Sequence, residues 1–361
     1  MQLSVLLPTH RHDLLACSRI VQACSFASAD VEVIVRDNSC NVQKRDMLAN
    51  IQGENCKIIF AEACDALQNI SELLRLAKGE FIFCIADDDL CVDRAIEAMA
   101  ATIKRSGKDA SLAGVTGHYG VETSKASAIL NYQDLDSDDA VTRINGYLKY
   151  SGPNVLNYSA QRRDMVRRVF AFMRAMPAIF SFHDQIMCLL YLLNGKFISL
   201  PRLIYLYDLG LWEQPESGQK RDLDFYAAAG LDPAINKLHW FLCGFEGAVL
   251  ARNSDMFPDL PIQQRQVIAD RWSSLMFARF TQQARLTFGS SFTDDAEKLC
   301  MKLKAITAPQ SFNAMLADIC SLIALSSMDK AQGYFDFWDA VVNRRNSAPG
   351  HTEYLAEFKV A

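Results

Sequence analysis

The 361-residue chain has no C-x-x-C pair, no glycine in the turn after its first apolar run, no window of 18 or more apolar residues and no excess of basic residues. The first absence argues against a zinc ribbon or a dithiol redox motif. The second argues against a glycine-rich phosphate loop at that strand end. The third excludes a membrane-spanning helix. The charge balance, −5 with a pI near 5.7, implies no broadly basic surface for nucleic acid. No internal repeat or low-complexity tract appears. Met1–Asp13 has a short apolar run but no basic residues before it, so it reads as a first strand rather than a secretory leader. The eleven cysteines, from Cys17 to Cys320, are odd in number, dispersed and mostly set in apolar runs. They read as free thiols in a reducing compartment, so a cytoplasmic location is expected.

What is present is ordinary globular material, 50% hydrophobic and 22% charged, in a chain about two domains long. The first hundred residues alternate apolar runs with helical spacing. Strands are expected at Leu3–Leu7, Val31–Val35, Lys57–Phe60 and Phe81–Ile85. Helices are expected at Leu14–Phe26, Val42–Ile51, Ile70–Ala77 and Arg94–Ile103. This beat predicts an α/β fold, a mostly parallel sheet with flanking helices. Leu112–Gly117 reads as a fifth strand, Glu122–Asp139 as a polar loop or irregular hairpin, and Ala160–Ala175 as a basic helix. Asp184–Leu193 reads as an apolar helix, Phe197–Tyr207 as a strand interrupted by Pro201, and Glu213–Arg221 as a linker. Beyond it the texture is all-helical, with Ile268, Trp272, Met276 and Phe280 on one stripe and Phe312, Met315, Leu316, Ile319 and Ile323 on another. Both stripes are expected to be core.

In an open α/β sheet, ligands bind beyond the carboxyl ends of the strands. Those ends carry Pro8-Thr9-His10-Arg11, Asp37-Asn38-Ser39, Glu62 with Asp65, and Asp87-Asp88-Asp89. Three adjacent carboxylates repel one another unless a cation sits nearby, and their oxygens suit Mg²⁺ or Mn²⁺. The acids also suit the first turns of the next helices.

Taken in order, these pieces resemble family 2 glycosyltransferases of the GT-A fold. The resemblance rests on the Pro8-Thr9-His10-Arg11 turn and on Glu32-Val33-Ile34-Val35-Arg36-Asp37-Asn38-Ser39. It rests further on Asn69 leading to Ala77-Lys78-Gly79-Glu80-Phe81-Ile82, and on the DXD-type cluster Asp87-Asp88-Asp89. It covers residues 1–105 closely and continues more loosely to about 210. It implies a GT-A domain with a nucleotide-sugar-binding half over residues 1–110 and an acceptor-binding half over 111–215; the helical C-terminal region over 216–361 has no counterpart in the resemblance and is read from its own spacing.

The resemblance assigns roles residue by residue. Pro8 shapes the turn, while Thr9 and Arg11 line the nucleotide pocket. Asp37 accepts from the base, with uracil expected, and Asn69 faces the nucleotide or its ribose. Asp87 and Asp88 serve the ribose or donor sugar and Asp89 meets the metal, though a run of three leaves the register open by one. The family inverts the anomeric centre and needs a general base, and the match is Asp184 in Ser181-Phe182-His183-Asp184-Gln185. Here His183 stands where the family has an acid, and Asp184 as a plain helix-starting residue is the competing reading. The implied cofactor is Mn²⁺ or Mg²⁺. The implied partners are a nucleotide-sugar donor, a UDP-sugar first, and a glycan or lipid-linked acceptor. Surface polysaccharide synthesis is the expected setting.

Further candidates are weaker. Arg162 and Arg163 suit a phosphate or a solvated helix face. Tyr158-Ser159, Tyr207, Asp208 and Trp212 suit a loop over the sugar. The aromatic group Tyr334, Phe335, Phe337 and Trp338 suits core packing first and a peripheral membrane contact second. The helical region stands open between covering the acceptor, pairing two copies of the chain and lying on the inner face of a membrane. Two other functions compete: a sugar-phosphate nucleotidyltransferase, disfavoured by the glycine-free turn, and a non-catalytic nucleotide-sugar-binding or assembly subunit.

Overall fold

The structure is a computed structural model and describes residues 1–51, 53–122, 127–149, 154–177, 183–208, 220, 227, 230, 238–257, 259–287, 312–325 and 327–343. Most of the expected linker, Gly152-Pro153, Ser181-Phe182 and Trp212 lie outside them.

Two compact units emerge. The first holds Met1–Phe170 together with the strand that comes after Asn194, and the second holds Ala171–Leu193 together with the C-terminal helices. The first opens β1 (Leu3–Thr9), α1 (Leu14–Cys24), β2 (Val31–Asp37), α2 (Val42–Leu48), β3 (Cys56–Phe60), α3 (Ala66–Leu76) and β4 (Phe81–Cys84). It continues β5 (Leu90–Cys91), α4 (Asp93–Ser106), β6 (Leu112–Glu122), β7 (Ser127–Leu130), α5 (Ala140–Lys149) and β8 (Ala160–Arg162). After α6 (Arg163–Ala175) and α7 (His183–Asn194), β9 (Lys196–Asp208) completes the sheet.

The strand order is β3-β2-β1-β4-β8-β6-β9-β5, with β7 paired to β6. β3, β2, β1 and β4 run parallel, and β6 and β9 run parallel to each other. β8 and β5 are antiparallel to their neighbours. The first strands are apolar on both faces: Leu3, Val5, Leu6 and Leu7 of β1 and Val33 and Val35 of β2 are fully buried. That is the signature of a sheet covered by helices on both sides. Asp13, Asn41 and Asp65 cap α1, α2 and α3, each accepting the backbone N–H three residues on. Asp65, one of the strand-end acids, thus serves the start of a helix.

Gly79 explains part of the family-like Ala77–Ile82 pattern. A Cβ there would stand 2.5 Å from the backbone nitrogen of Ser4, and the Gly79 N–H donates to Ser4 Oγ and to the buried carboxylate of Glu32. Only glycine lets the chain enter β4 so close to β1.

The structure refines the sequence expectations at three places. Ala160–Ala175 is not one helix: its first three residues form β8, wedged between β4 and β6. A three-residue strand is too short to show a period of two. Of the two readings of Glu122–Asp139, the hairpin is the one found, since β7 pairs antiparallel with β6, and α5, which follows from Ala140, is not among the expected elements. Pro201 does not break β9, because the β6–β9 register shifts between Thr116 and His118 and leaves the proline, which has no N–H to donate, outside the ladder.

The second unit adds α8 (His239–Asn253), α9 (Ile262–Thr287), α10 (Phe312–Ala324) and α11 (Met328–Val342). α8 and α9 approach closely because Gly247 lies under Trp272, where a Cβ would come within 2.1 Å of the indole nitrogen. That indole donates to the Cys243 carbonyl at 2.8 Å. Trp272, Met276 and Phe280 are buried, as their stripe predicts. Tyr334, Phe337 and Trp338 are buried too, while Phe335 between them is exposed, so three of the four aromatic side chains are core. Among the described residues no helix is long and apolar enough to cross a membrane.

Candidate active site

The strand order reverses between β1 and β4: the chain builds outward from β1 through β2 and β3, then returns to place β4 on the other side of β1. Such a switch point leaves a crevice at the carboxyl ends of the strands. Thr9 ends β1 and Asp87 comes just after β4, and across the crevice the Thr9 hydroxyl donates to Asp87 Oδ2 at 2.5 Å. The Arg11 backbone N–H points at the same oxygen from 3.4 Å. Pro8 pairs with Arg36 of β2, without an N–H of its own, at the point where β1 leaves the sheet.

The three aspartates divide sharply by environment. Asp87 and Asp89 are buried, 6% and 4% exposed. The Asp88 side chain is 31% exposed and lies 3.6 Å from the Arg11 guanidinium. Arg11 also donates to Asp13 at 2.9 Å. Partial burial works against the Arg11 charge, but Asp13, then Asp87 and Asp88, outweigh it and hold its pKa above the ordinary value. Asp89 Oδ2 accepts the Tyr205 hydroxyl at 2.9 Å, and that hydroxyl accepts the Ala86 N–H at 3.1 Å. Burial first, then Tyr158 and Asp89, hold Tyr205 well above the ordinary phenol range, so it remains a donor. Tyr158 stacks on Tyr205 with ring centroids 4.3 Å apart, and Tyr207 lies 5.6 Å beyond Tyr158. Tyr158 and Tyr207 are half-buried.

Asp37, at the end of β2, is 3% exposed. Its Oδ1 accepts the Ser39 N–H at 3.0 Å and the Lys44 ammonium at 3.0 Å. Lys44 carries no signal in the sequence; lysine on a polar helix reads as solvated, yet its side chain is fully buried. A cavity of about 260 Å³ opens beside Asp37, lined also by Cys40, Asn41, Val42, Arg45, Phe60, Ala61 and Glu62. Cys40 holds φ at 55°, in the left-handed region that non-glycine residues rarely adopt, and turns the chain around the cavity.

Asn69 is 3% exposed. Its Oδ1 accepts the Arg36 guanidinium at 2.7 Å, and its amide donates to the Arg36 carbonyl and to Asn38 Oδ1. In this structure it braces Arg36 and Asn38. Ser159 is fully buried in a hydroxyl network with Thr116 and Tyr119. Arg162 donates to the carbonyls of Gly107, Asp109 and Leu112, and Arg167 closes the end of α3 through the carbonyl of Leu74. Arg162 also pairs with Glu80 at 3.0 Å, and Arg163 donates to the Ala77 carbonyl at 3.2 Å. Asp184 lies in the second unit, exposed in the first turn of α7.

Among the described residues, no group of three His, Cys, Asp or Glu side chains is placed to hold a metal by itself. A divalent cation bound to a diphosphate needs only one or two protein carboxylates, the rest of its shell being phosphate and water oxygens. The accessible Asp88 carboxylate fits that requirement.

An α/β sheet whose polar strand ends meet at a switch point places a ligand crevice there. The family model described as Glycosyl transferase family 2 matches residues 4–170. The protein is a glycosyltransferase with a GT-A fold. The S. aureus TarS fragment 1–349 superimposes with a TM-score of 0.53 at 14% identity, covering 96% of this chain and 92% of that one. The same fragment in complex with UDP-GlcNAc gives 0.54 at 15% identity, with 96% and 92% covered. The longer TarS chain gives 0.54 at 14% identity, covering 94% of this chain and 55% of that one. At this identity the likeness is one of fold. No curated protein matches the chain.

Proposed function

We propose that the protein transfers a sugar, with inversion, from a UDP-sugar to a hydroxyl of a glycan or lipid-linked acceptor. The observation that carries this reading is the meeting of Thr9, Arg11, Asp87 and Asp88 at the β1/β4 switch point, beside a cavity walled by Asp37. The base enters the cavity and gives a ring N–H to Asp37. The diphosphate lies along the crevice toward Asp88, beside the Arg11 guanidinium. Of the three aspartates, Asp88 is the one open to a cation. Asp89, expected from the sequence to be the metal ligand, is proposed instead as its support, a shift of one place along the run. Mn²⁺ or Mg²⁺, when bound, supplies a Lewis acid for the charge that develops on the leaving diphosphate. Arg11 adds a fixed positive charge that costs no reorganisation during reaction. Tyr158 and Tyr207 offer ring faces for the donor sugar.

Inversion needs a base that removes the acceptor proton as the oxygen attacks the anomeric carbon and the bond to UDP breaks. Asp184 is proposed for this role from its place in the motif order and its exposed carboxylate. The proposed setting is cytoplasmic, where the product would be a surface polysaccharide or glycolipid precursor.

The test is a panel of nucleotide sugars, UDP-GlcNAc first, screened with Mn²⁺ for thermal stabilisation and for release of the nucleoside diphosphate. One donor raising Tm and releasing UDP in the presence of an acceptor is expected. Pyrophosphate release from a nucleoside triphosphate and a sugar phosphate, with no response to any nucleotide sugar, would replace this reading.

A further inference from the structure

Lys44 occupies the third position of α2, where its N–H is held by the capping Asn41 side chain at 2.8 Å. Its own side chain runs back beneath the strand ends and is fully buried. An ammonium has three hydrogens and no lone pair. Lys44 Nζ spends them on Thr9 Oγ1 at 2.8 Å, on Asp37 Oδ1 at 3.0 Å and on the Arg11 carbonyl. One cation therefore ties together the end of β1, the turn after it and the end of β2.

The donor pattern alone has two consequences. Because Lys44 can only donate, it takes a lone pair of the Thr9 hydroxyl and directs that hydroxyl's proton to Asp87. And because Asp37 Oδ1 already accepts from Lys44 and Ser39, Oδ2 is the oxygen left for a ligand; it accepts from none of the described residues. A buried carboxylate is tolerated only when paired, and the ammonium is that partner at the edge of the cavity.

We infer that Lys44 is a positioning residue of the donor site. It holds Asp37 as a one-oxygen acceptor for the base and, through Thr9, fixes Asp87 at the diphosphate end. The inference rests on the UDP-sugar reading above. It makes the two ends of the donor pocket a single hydrogen-bonded unit built on one buried charge, a design suited to a base with one ring N–H, such as uracil.

The experiment is a double-mutant cycle read by calorimetry of UDP binding with Mn²⁺, alongside thermal unfolding: wild type, Lys44→Met, Asp37→Asn and the double variant. Lys44→Met is expected to weaken UDP binding 10- to 100-fold, while in the Asp37→Asn background the same change costs less, since only the Thr9–Asp87 arm is left to lose. A merely structural lysine would lower Tm, leave the affinity of the folded protein unchanged and show additive effects. Either unchanged affinity or additivity overturns the inference. If Lys44→Met does not fold, Lys44→Gln, which keeps a donor toward Asp37 and no charge, supplies the cycle. Wild type that binds no UDP would instead sink the donor reading itself.

Discussion

The Tyr205 hydroxyl donates to Asp89 Oδ2 at 2.9 Å from a strand 116 residues further along the chain. It accepts the Ala86 N–H at the same time, so one phenol fixes both the backbone before the acidic run and its last carboxylate. Tyr205→Phe keeps the ring packing against Tyr158 and Phe83 but strips both bonds. Leaving the Ala86 N–H and the Asp89 carboxylate without this partner is expected to cost about 1–3 kcal/mol of stability. Thermal unfolding checks the stability, and Mn²⁺-dependent UDP affinity should fall with it as the run loosens. An unchanged Tm and affinity would show that Asp89 is held by other means.

The division between a half-exposed Asp88 and a buried Asp89 gives a sharper test. Asp88→Asn is expected to leave Tm within about 1 °C of wild type, since surface substitutions stay within about 0.5 kcal/mol, yet to abolish Mn²⁺-dependent UDP binding and transfer. Asp89→Asn should lower Tm measurably, because it alters a buried hydrogen-bonded carboxylate. The reverse pattern would return the metal to Asp89.

A base that acts only on the acceptor leaves donor binding alone. Asp184→Asn should keep the affinity for UDP and the donor, while turnover drops by roughly 10²–10⁴, the range contributed by a positioned general base. Equal UDP affinity with equal turnover would move the base elsewhere in the chain.

Much of the first unit is legible in the sequence because its strands are apolar on both faces and its helices are capped by Asp13, Asn41 and Asp65. The polar strand ends are legible too, because each apolar run stops abruptly at a Thr, Asp or Glu. The features that stayed hidden depend on distant partners. Nothing in the local pattern around Lys44 shows that its chain turns inward, since lysine is normally solvated. Tyr205 looks like any strand aromatic until β5 and β9 pair and bring it against Asp89. β8 is three residues long and its pairing with β4 and β6 is wholly non-local. Asn69 is legible only by its place in the motif order; that its amide faces Arg36 and Asn38 depends on the fold.

In the second unit, Glu246 on α8 is 1% exposed and accepts the Tyr334 hydroxyl at 2.7 Å. Burial pushes its pKa from 4.5 to about 8, against a smaller downward pull from Tyr334. The unfolded chain releases this proton near pH 4.5, whereas the folded chain keeps it until about 8. Between those values the native state binds more protons than the unfolded state, so stability falls as pH rises through the window. Glu246→Gln mimics the protonated acid and keeps an acceptor for Tyr334. Its unfolding free energy should vary less with pH between 5 and 8 than that of the wild type, and the two proteins should diverge most at the alkaline end, with the variant more stable there. Denaturant melts at pH 5, 6.5 and 8 would check this; parallel profiles for the two proteins would mean that Glu246 is ionised in the folded state.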